Sequence, residues 1–329
     1  MLYEKGEGVM RKGTKIWLIV AASLIVLGAI LFVGAMTMIK WNFTSLATDE
    51  YETNTHEIGE NFENISIDTN TADVSFLPSE SEGVRVVCYE DVKCKHKVEV
   101  INGTLTVAAE DTRQWYDHIS IFHRAPKIFV YLPEGAYGSL TIKESTGDVE
   151  VPKDFSFTEA HVTLTTGDVR WSASVTDSLK LRSTTGKLSI SDCSAETAEL
   201  SVTTGNVTVT GVSVTGDVSL RVNTGKARLT DLTCRSLFSE GDTGDLVMKN
   251  VIAAEDFSLK RSTGDVTFEG CDASEIRVTT DTGDVRGSLL SEKVFLVDTD
   301  TGRKEVPNTV TGGRCEITTD TGDIKITIS

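Results

Sequence analysis

The residues best placed to do chemistry are carboxylates that recur beside glycine. Asp148, Asp168, Asp245, Asp265, Asp284 and Asp323 each follow a Thr-Gly step, and Asp242, Asp281 and Asp320 put a second acid ahead of it in three copies. Carboxylates stacked about 5 Å apart repel one another unless neutralised, and clustered oxygens suit calcium. Asp242, Asp245, Asp281, Asp284, Asp320 and Asp323 are therefore a candidate calcium ladder. Lys187, Asn206, Lys226 and Arg303 interrupt it and could neutralise neighbouring copies directly, and the nine-residue calcium-roll repeat is absent. Solvated turn charge is the preferred reading, and no cofactor is expected.

The other reactive side chains are sparse. His118 and His123 stand five apart in WYDHISIFH near Asp117, a spacing that on a strand points two rings to opposite faces. His56, His96 and His161 are isolated and read as surface residues. None of the six cysteines forms a CxxC pair, so zinc-site spacing is missing. Cys88 and Cys94 flank an expected hairpin turn (CYEDVKC), which makes a disulfide plausible in an oxidising compartment, although spacing does not decide the pairing. Cys193 and Cys271 read as small buried hydrophobes. There is no Gly-x-Ser-x-Gly, HExxH or P-loop, and no enzyme is expected.

These residues sit on a repeat. Thr-Gly recurs at Gly147, Gly167, Gly186, Gly205, Gly225, Gly244, Gly264, Gly283, Gly302 and Gly322, always 19 or 20 residues apart. Two residues after the glycine stand Val149, Val169, Leu188 and Val207; four after stand Val151, Trp171, Ile190 and Val209; five before stand Val162, Leu181, Leu200 and Leu220. Spacing of two is strand periodicity. A third apolar point, seven after, reads Cys193, Val212, Leu232, Val251, Cys271 and Leu290. Three inward places per repeat describe one rung of an all-β parallel β-solenoid (β-helix), whose rungs stack at about 4.8 Å around a shared core. Glycine suits the tight turn, and Thr can stack along it.

Upstream, Ile16 to Ile39 is uncharged for 24 residues and flanked by Trp17 and Trp41. As a helix it spans roughly 36 Å, enough to cross a bilayer. An uncleaved anchor is preferred to a signal peptide, because the apolar run is long and no A-x-A site follows. Lys5, Arg11, Lys12 and Lys15 precede it, which places the N-terminus in the cytoplasm and the remainder outside. The expected organisation is a stub (1–15), a transmembrane helix (16–39), a tether (40–60), an irregular N-terminal β cap (61–140) and the solenoid (141–329). Within the cap, Asn102-Gly103 signals a type I′ hairpin, and Thr71-Ala72-Asp73-Val74 is an imperfect first copy of the repeat. The net charge of -17 argues against a nucleic-acid partner.

The copies Thr146-Val149, Thr166-Val169, Thr263-Val266 and Thr282-Val285 resemble the bacterial putative-adhesin domains of unknown function, built from Thr-Gly-Asp-Val β-strand repeats. The resemblance covers roughly 61–329, with departures at Arg303-Lys304 and at the extra Thr215-Gly216-Asp217. It implies an extracytoplasmic, often membrane-anchored β-solenoid near envelope-stress regulators, and supplies no catalytic residues. The expected role is non-catalytic, an adhesin or ligand-binding surface protein of the envelope, with a passive spacer or a polysaccharide-active enzyme as alternatives. Expected partners are an envelope or cell-surface ligand, a membrane regulatory protein, and a second copy paired through the C-terminal rung, where an uncapped strand (DIKITIS) invites pairing.

Overall fold

A computed structural model describes residues 12–38, 40–41, 50–80, 83–112 and 125–329. The helix Lys12–Met38 belongs to one body, and residues 51–112 with 125–329 form another. Within the helix, the hydroxyls of Ser23 and Thr37 donate back to the carbonyls of Ile19 and Gly34. Both hydroxyls are thus satisfied within the helix. Gly13–Met38 is the one described helix long and apolar enough to cross a membrane.

The second body is a parallel β-solenoid of about ten turns. In each rung one strand precedes the Thr-Gly turn and one follows it, and equivalent strands pair in register. Thr146 pairs with Thr166, Thr166 with Thr185, and Thr185 with Thr204. Val149, Val169, Leu188 and Val207 form a matching column on the other side of the turn. All are buried, so the core is a continuous apolar column. The imperfect copy is a true rung: Thr71 pairs with Thr146 and Val74 with Val149.

A second corner, six residues after the glycine, escaped the periodicity argument. Asp192, Gly211, Asp231, Asn250 and Gly270 all take φ between 50° and 65° there. Left-handed backbone favours Gly, Asn and Asp, which is why those types recur at this offset. The next residue in the column is Leu289. A leucine is poorly suited to that corner, and the rung changes course instead. Gly287 takes φ 134°, Leu289 pairs with Cys271 and enters the core, and Leu290, expected inside, is 49% exposed.

The last three rungs are not stacked in chain order. Gly313–Thr321 lies between Glu275–Thr282 and Lys293–Thr301, and Ile324–Ile328 pairs with both Val285–Leu289 and Lys304–Glu305. The spatial order is therefore Gly283, Gly322, Gly302. The segment joining them is held at Lys293, whose carbonyl accepts the Thr309 hydroxyl and whose buried ammonium meets Asp272 at 2.7 Å. The C-terminal strands are not the outermost layer: Gly313–Thr321 is paired on both sides, Ile324–Ile328 is covered on its outer side at Ile324 and Lys325, and the outer edge strand is Lys293–Thr301.

The opposite end is closed by antiparallel strands. The stretch read as a tether contains the strand Tyr51–Ile58, paired with Val84–Asp91. Cys94–Ile101 pairs with Thr104–Asp111 through the expected Asn102-Gly103 turn, both residues at positive φ. Val84–Asp91 and Cys94–Ile101 share only the pair Asp91 and Cys94 before parting, the first joining Lys127–Leu132. Cys88 and Cys94 are consequently out of register, and Cys88 carries a free thiol.

At the first full rung Glu144 is buried three residues before Gly147. Its Oε1 accepts from the Ala72 amide at 2.6 Å and the Thr69 hydroxyl at 3.3 Å, and its Oε2 has no partner. Burial, aided by Asp73 and Asp148 nearby, pushes its pKa up to about 8. A carboxyl raised in the folded state keeps a proton that the unfolded chain loses above its ordinary 4.5. Stability from this site is therefore full below that value and falls as pH rises toward 8, by up to about 1.4 kcal/mol per pH unit. Melting midpoints of the wild type should decline over that window, and Glu144→Gln should flatten the decline. Identical slopes would show the assignment to be wrong.

Candidate functional site

The Thr-Gly-Asp column is the most regular feature, and the structure assigns its carboxylates a backbone task. Oδ1 of each Asp or Asn accepts the amide of the equivalent residue on the next rung. Asp73 accepts Asp148 at 3.2 Å, Asp148 accepts Asp168 at 2.9 Å, and Asp168 accepts Lys187 at 2.8 Å. Asn206 accepts Lys226 at 2.8 Å. Asp245 accepts Asp265, which accepts Asp284, which accepts Asp323, which accepts Arg303. Each basic interruption is where a run of acceptors stops, and Arg303 stands on the outermost rung, where no further amide needs a partner.

The second oxygens are partly neutralised. Lys226 reaches Asp245 Oδ2 at 2.9 Å, Arg286 reaches Asp265 Oδ2 at 2.9 Å and Asp284 Oδ2 at 3.5 Å, and Arg303 reaches Asp323 Oδ2 at 2.7 Å. Asp245, Asp284 and Asp323 thus share one column, with Asp265 between the first two. Asp242, Asp281 and Asp320 are exposed on the other side of the turn. There the swapped rungs place Asp320 between Asp281 and Asp300, whereas Asp242 is separated from Asp281 by the Ser262 rung. The six candidates are not brought into one donor set.

A different constellation lies on the outward face. Phe238, Ser258, Arg277, Glu316 and Leu296 are consecutive cross-strand neighbours in one row. They cross five rungs, or about 19 Å at the sheet spacing. Phe238, Ser258, Arg277 and Glu316 line a groove of about 220 Å³ together with Asp256, Glu275 and Arg314. Phe238 is 44% and Leu296 48% exposed. Glu316 Oε2 is shared by Arg314 at 3.0 Å and Arg277 at 3.4 Å, leaving guanidinium donors over for a ligand. Phe238 could have been found from the sequence: Leu237 is inward by its offset, so its neighbour must point out. The rung swap that sets Glu316 and Leu296 in the row has no such signal.

The cap holds a third cluster. Cys88, Glu90 and His96 are all buried, with their donor atoms within 4.8 Å of one another. His96, read as a surface residue, is corrected: its Nδ1 lies 2.7 Å from Glu90 Oε2, which also accepts the His96 amide at 2.6 Å, and Asn54 Nδ2 donates to Oε1 at 2.7 Å. Burial raises the Glu90 carboxyl, but the bonds from His96 and Asn54 outweigh it and hold the group below the ordinary range. Burial, with Glu90 adding, pushes the Cys88 thiol up to about 12. His161 is exposed, whereas His56 is half-buried with its Nε2 sealed and unpartnered. Cys193 and Cys271 are buried as small core residues. His118 and His123 lie outside the described residues.

The family described as Toastrack DUF4097 matches residues 62–225 and 215–329. Among solved structures, a putative adhesin from Bacteroides fragilis is 12% identical, with 84% of this chain and 97% of that one covered and a TM-score of 0.39. A putative adhesin from Parabacteroides distasonis is 8% identical, with 85% and 98% covered and a TM-score of 0.43. A putative lipid binding protein from the same organism is 12% identical, with 84% and 97% covered and a TM-score of 0.28. No curated protein matches. With family matches running from the cap through the last rung, the chain belongs to the Toastrack DUF4097 family.

Proposed function

We propose that this protein is a non-catalytic, membrane-anchored binding module that presents the outward face of its solenoid to an extended polar ligand of the cell envelope. The anchor is Lys12–Met38, with the basic residues before it in the cytoplasm and the solenoid outside. The observation that carries the reading is the row Phe238–Ser258–Arg277–Glu316–Leu296. An exposed ring offers a platform for an apolar sugar face, and Arg277, Arg314 and Glu316 offer planar donors and acceptors for hydroxyls. A glycan strand is the best chemical match to that combination and length. A non-catalytic role fits the sealing of Cys88, Glu90 and His96 from solvent, since a nucleophile must reach its substrate.

The test is binding of the purified full chain to isolated envelope fractions. Phe238→Ala should weaken saturable binding roughly tenfold, the loss of one anchoring contact worth about 1.4 kcal/mol. Arg170→Ala, on a distant rung, should leave it unchanged. Equal binding by wild type and Phe238→Ala would exclude this face and shift the weight to a passive spacer.

A further inference from the structure

We propose that Cys88, Glu90 and His96 form a zinc site that staples the cap, with His56 as the fourth donor. The first argument is the donor set. A thiolate, a carboxylate oxygen and an imidazole nitrogen together suit zinc among the common divalent ions. Bond lengths of about 2.0–2.3 Å to a tetrahedral centre put ligand atoms about 3.3–3.8 Å apart, and these three already lie within 4.8 Å.

The second is charge. One thiolate and one carboxylate balance a divalent cation, so the loaded site is neutral in a place where net charge would be costly. Zinc displaces the proton from the Cys88 thiol, which leaves to solvent, and the His96 ring proton passes from Nδ1 to Nε2 so that Nδ1 can face the metal; a coordinating thiol is deprotonated outright.

The third is the surrounding shell. Asn54 holds Glu90 Oε1 at 2.7 Å and so turns Oε2 toward His96, the kind of outer bond that orients a metal ligand. Asn54 faces Cys88 directly across the strand pair, and His56 faces Val86. His56 is therefore the diagonal neighbour of Cys88 on the same face; its ring nitrogens lie outside the three-residue cluster and join it by rotation of the side chain. Its Nε2 is buried with no hydrogen-bond partner, and a metal bond would satisfy it. The four residues come from Tyr51–Ile58, Val84–Asp91 and Cys94–Ile101. The last two share a single pair before joining different neighbours, so the staple falls where backbone pairing is thinnest.

The experiment uses the full chain in detergent, stripped with chelator and titrated with zinc or cobalt(II). Wild type should retain one equivalent of zinc after gel filtration, and its cobalt form should show tetrahedral visible bands with a near-ultraviolet thiolate-to-cobalt band. Cys88→Ser should lose the thiolate band, Cys94→Ser should keep it, and His96→Cys should raise it about twofold by adding a second sulfur. Absence of a thiolate band in wild type would overturn the proposal whether or not the variants fold. So would a band that survives in folded Cys88→Ser.

Discussion

Gly205→Ala is expected to destabilise the solenoid by roughly 3–5 kcal/mol, the range reserved for strained backbone and forced core displacement. Gly205 has φ 144°, and a Cβ there would lie 1.8 Å from the Gly186 carbonyl oxygen. That oxygen belongs to backbone one rung away, so no side chain can rotate aside. Neither partner can retreat without breaking register, because the Gly205 amide is committed to Thr224 and the Gly186 amide to Thr204. In a stack where each rung touches only its neighbours, the fault should separate two blocks. Urea titration followed by hydrogen exchange would show early opening around residues 185–209. Gly59→Ala, with nothing within 4 Å of the added carbon, should stay within about 0.5 kcal/mol of wild type. A Gly205→Ala loss below about 1 kcal/mol would refute the stacking account.

Arg261 supports the second large prediction. It is a buried cation in an apolar column, 2% exposed, with its pKa pushed down to about 10 by that burial. Its offset carries Val202 and Val222 on earlier rungs, and its neighbour there is Gly241. Gly241 leaves the space open: a Cβ there would sit 2.4 Å from the Val222 carbonyl oxygen and 3.0 Å from a guanidinium nitrogen of Arg261. Ser239 replaces the leucine of its own column and accepts from Arg261 Nη2 at 2.8 Å, while the Lys260 carbonyl accepts from Nη1 at 2.8 Å. Three departures on two rungs therefore compensate one another. Arg261→Ala should cost about 3 kcal/mol, through an emptied cavity and an orphaned Ser239. The double variant Ser239→Leu, Arg261→Val restores apolar side chains while keeping Gly241, where a Cβ would meet the Val222 carbonyl oxygen at 2.4 Å, and should recover most of that loss. Chemical denaturation of both variants checks this, and a double variant as weak as the single would sink it.

These cases show where a sequence of this kind is legible. Glycine at a fixed interval, with apolar residues at offsets of two, four and minus five, is enough to derive the rungs, because stacking imposes the same backbone on every copy. Ser239 and Gly241 were readable too, as two gaps in adjacent columns beside a charged Arg261. So was the Asp, Gly, Asp, Asn, Gly series at the second corner. What periodicity cannot reach is pairing between segments that break it. The insertion of Gly313–Thr321 depends on a long-range choice between two equally apolar neighbours. The meeting of Cys88, Glu90 and His96 depends on two strands that diverge after one pair. Offsets describe a single strand; these features belong to the way strands choose partners.

The interleaved order of the last rungs also bears on how such a rod is made and lengthened. A solenoid stacked in chain order can close each turn as its residues emerge, and can gain a turn at its far end without disturbing the rest. Here Lys293–Thr301 has no strand to rest on until Gly313–Thr321 has slid in beneath it. The final layer is thus a clasp that shuts only after later residues are present. A duplicated repeat following the last strand would find Gly313–Thr321 already covered and would have to cross to the outer edge of Lys293–Thr301, so longer relatives with this clasp would gain turns more simply from within the array.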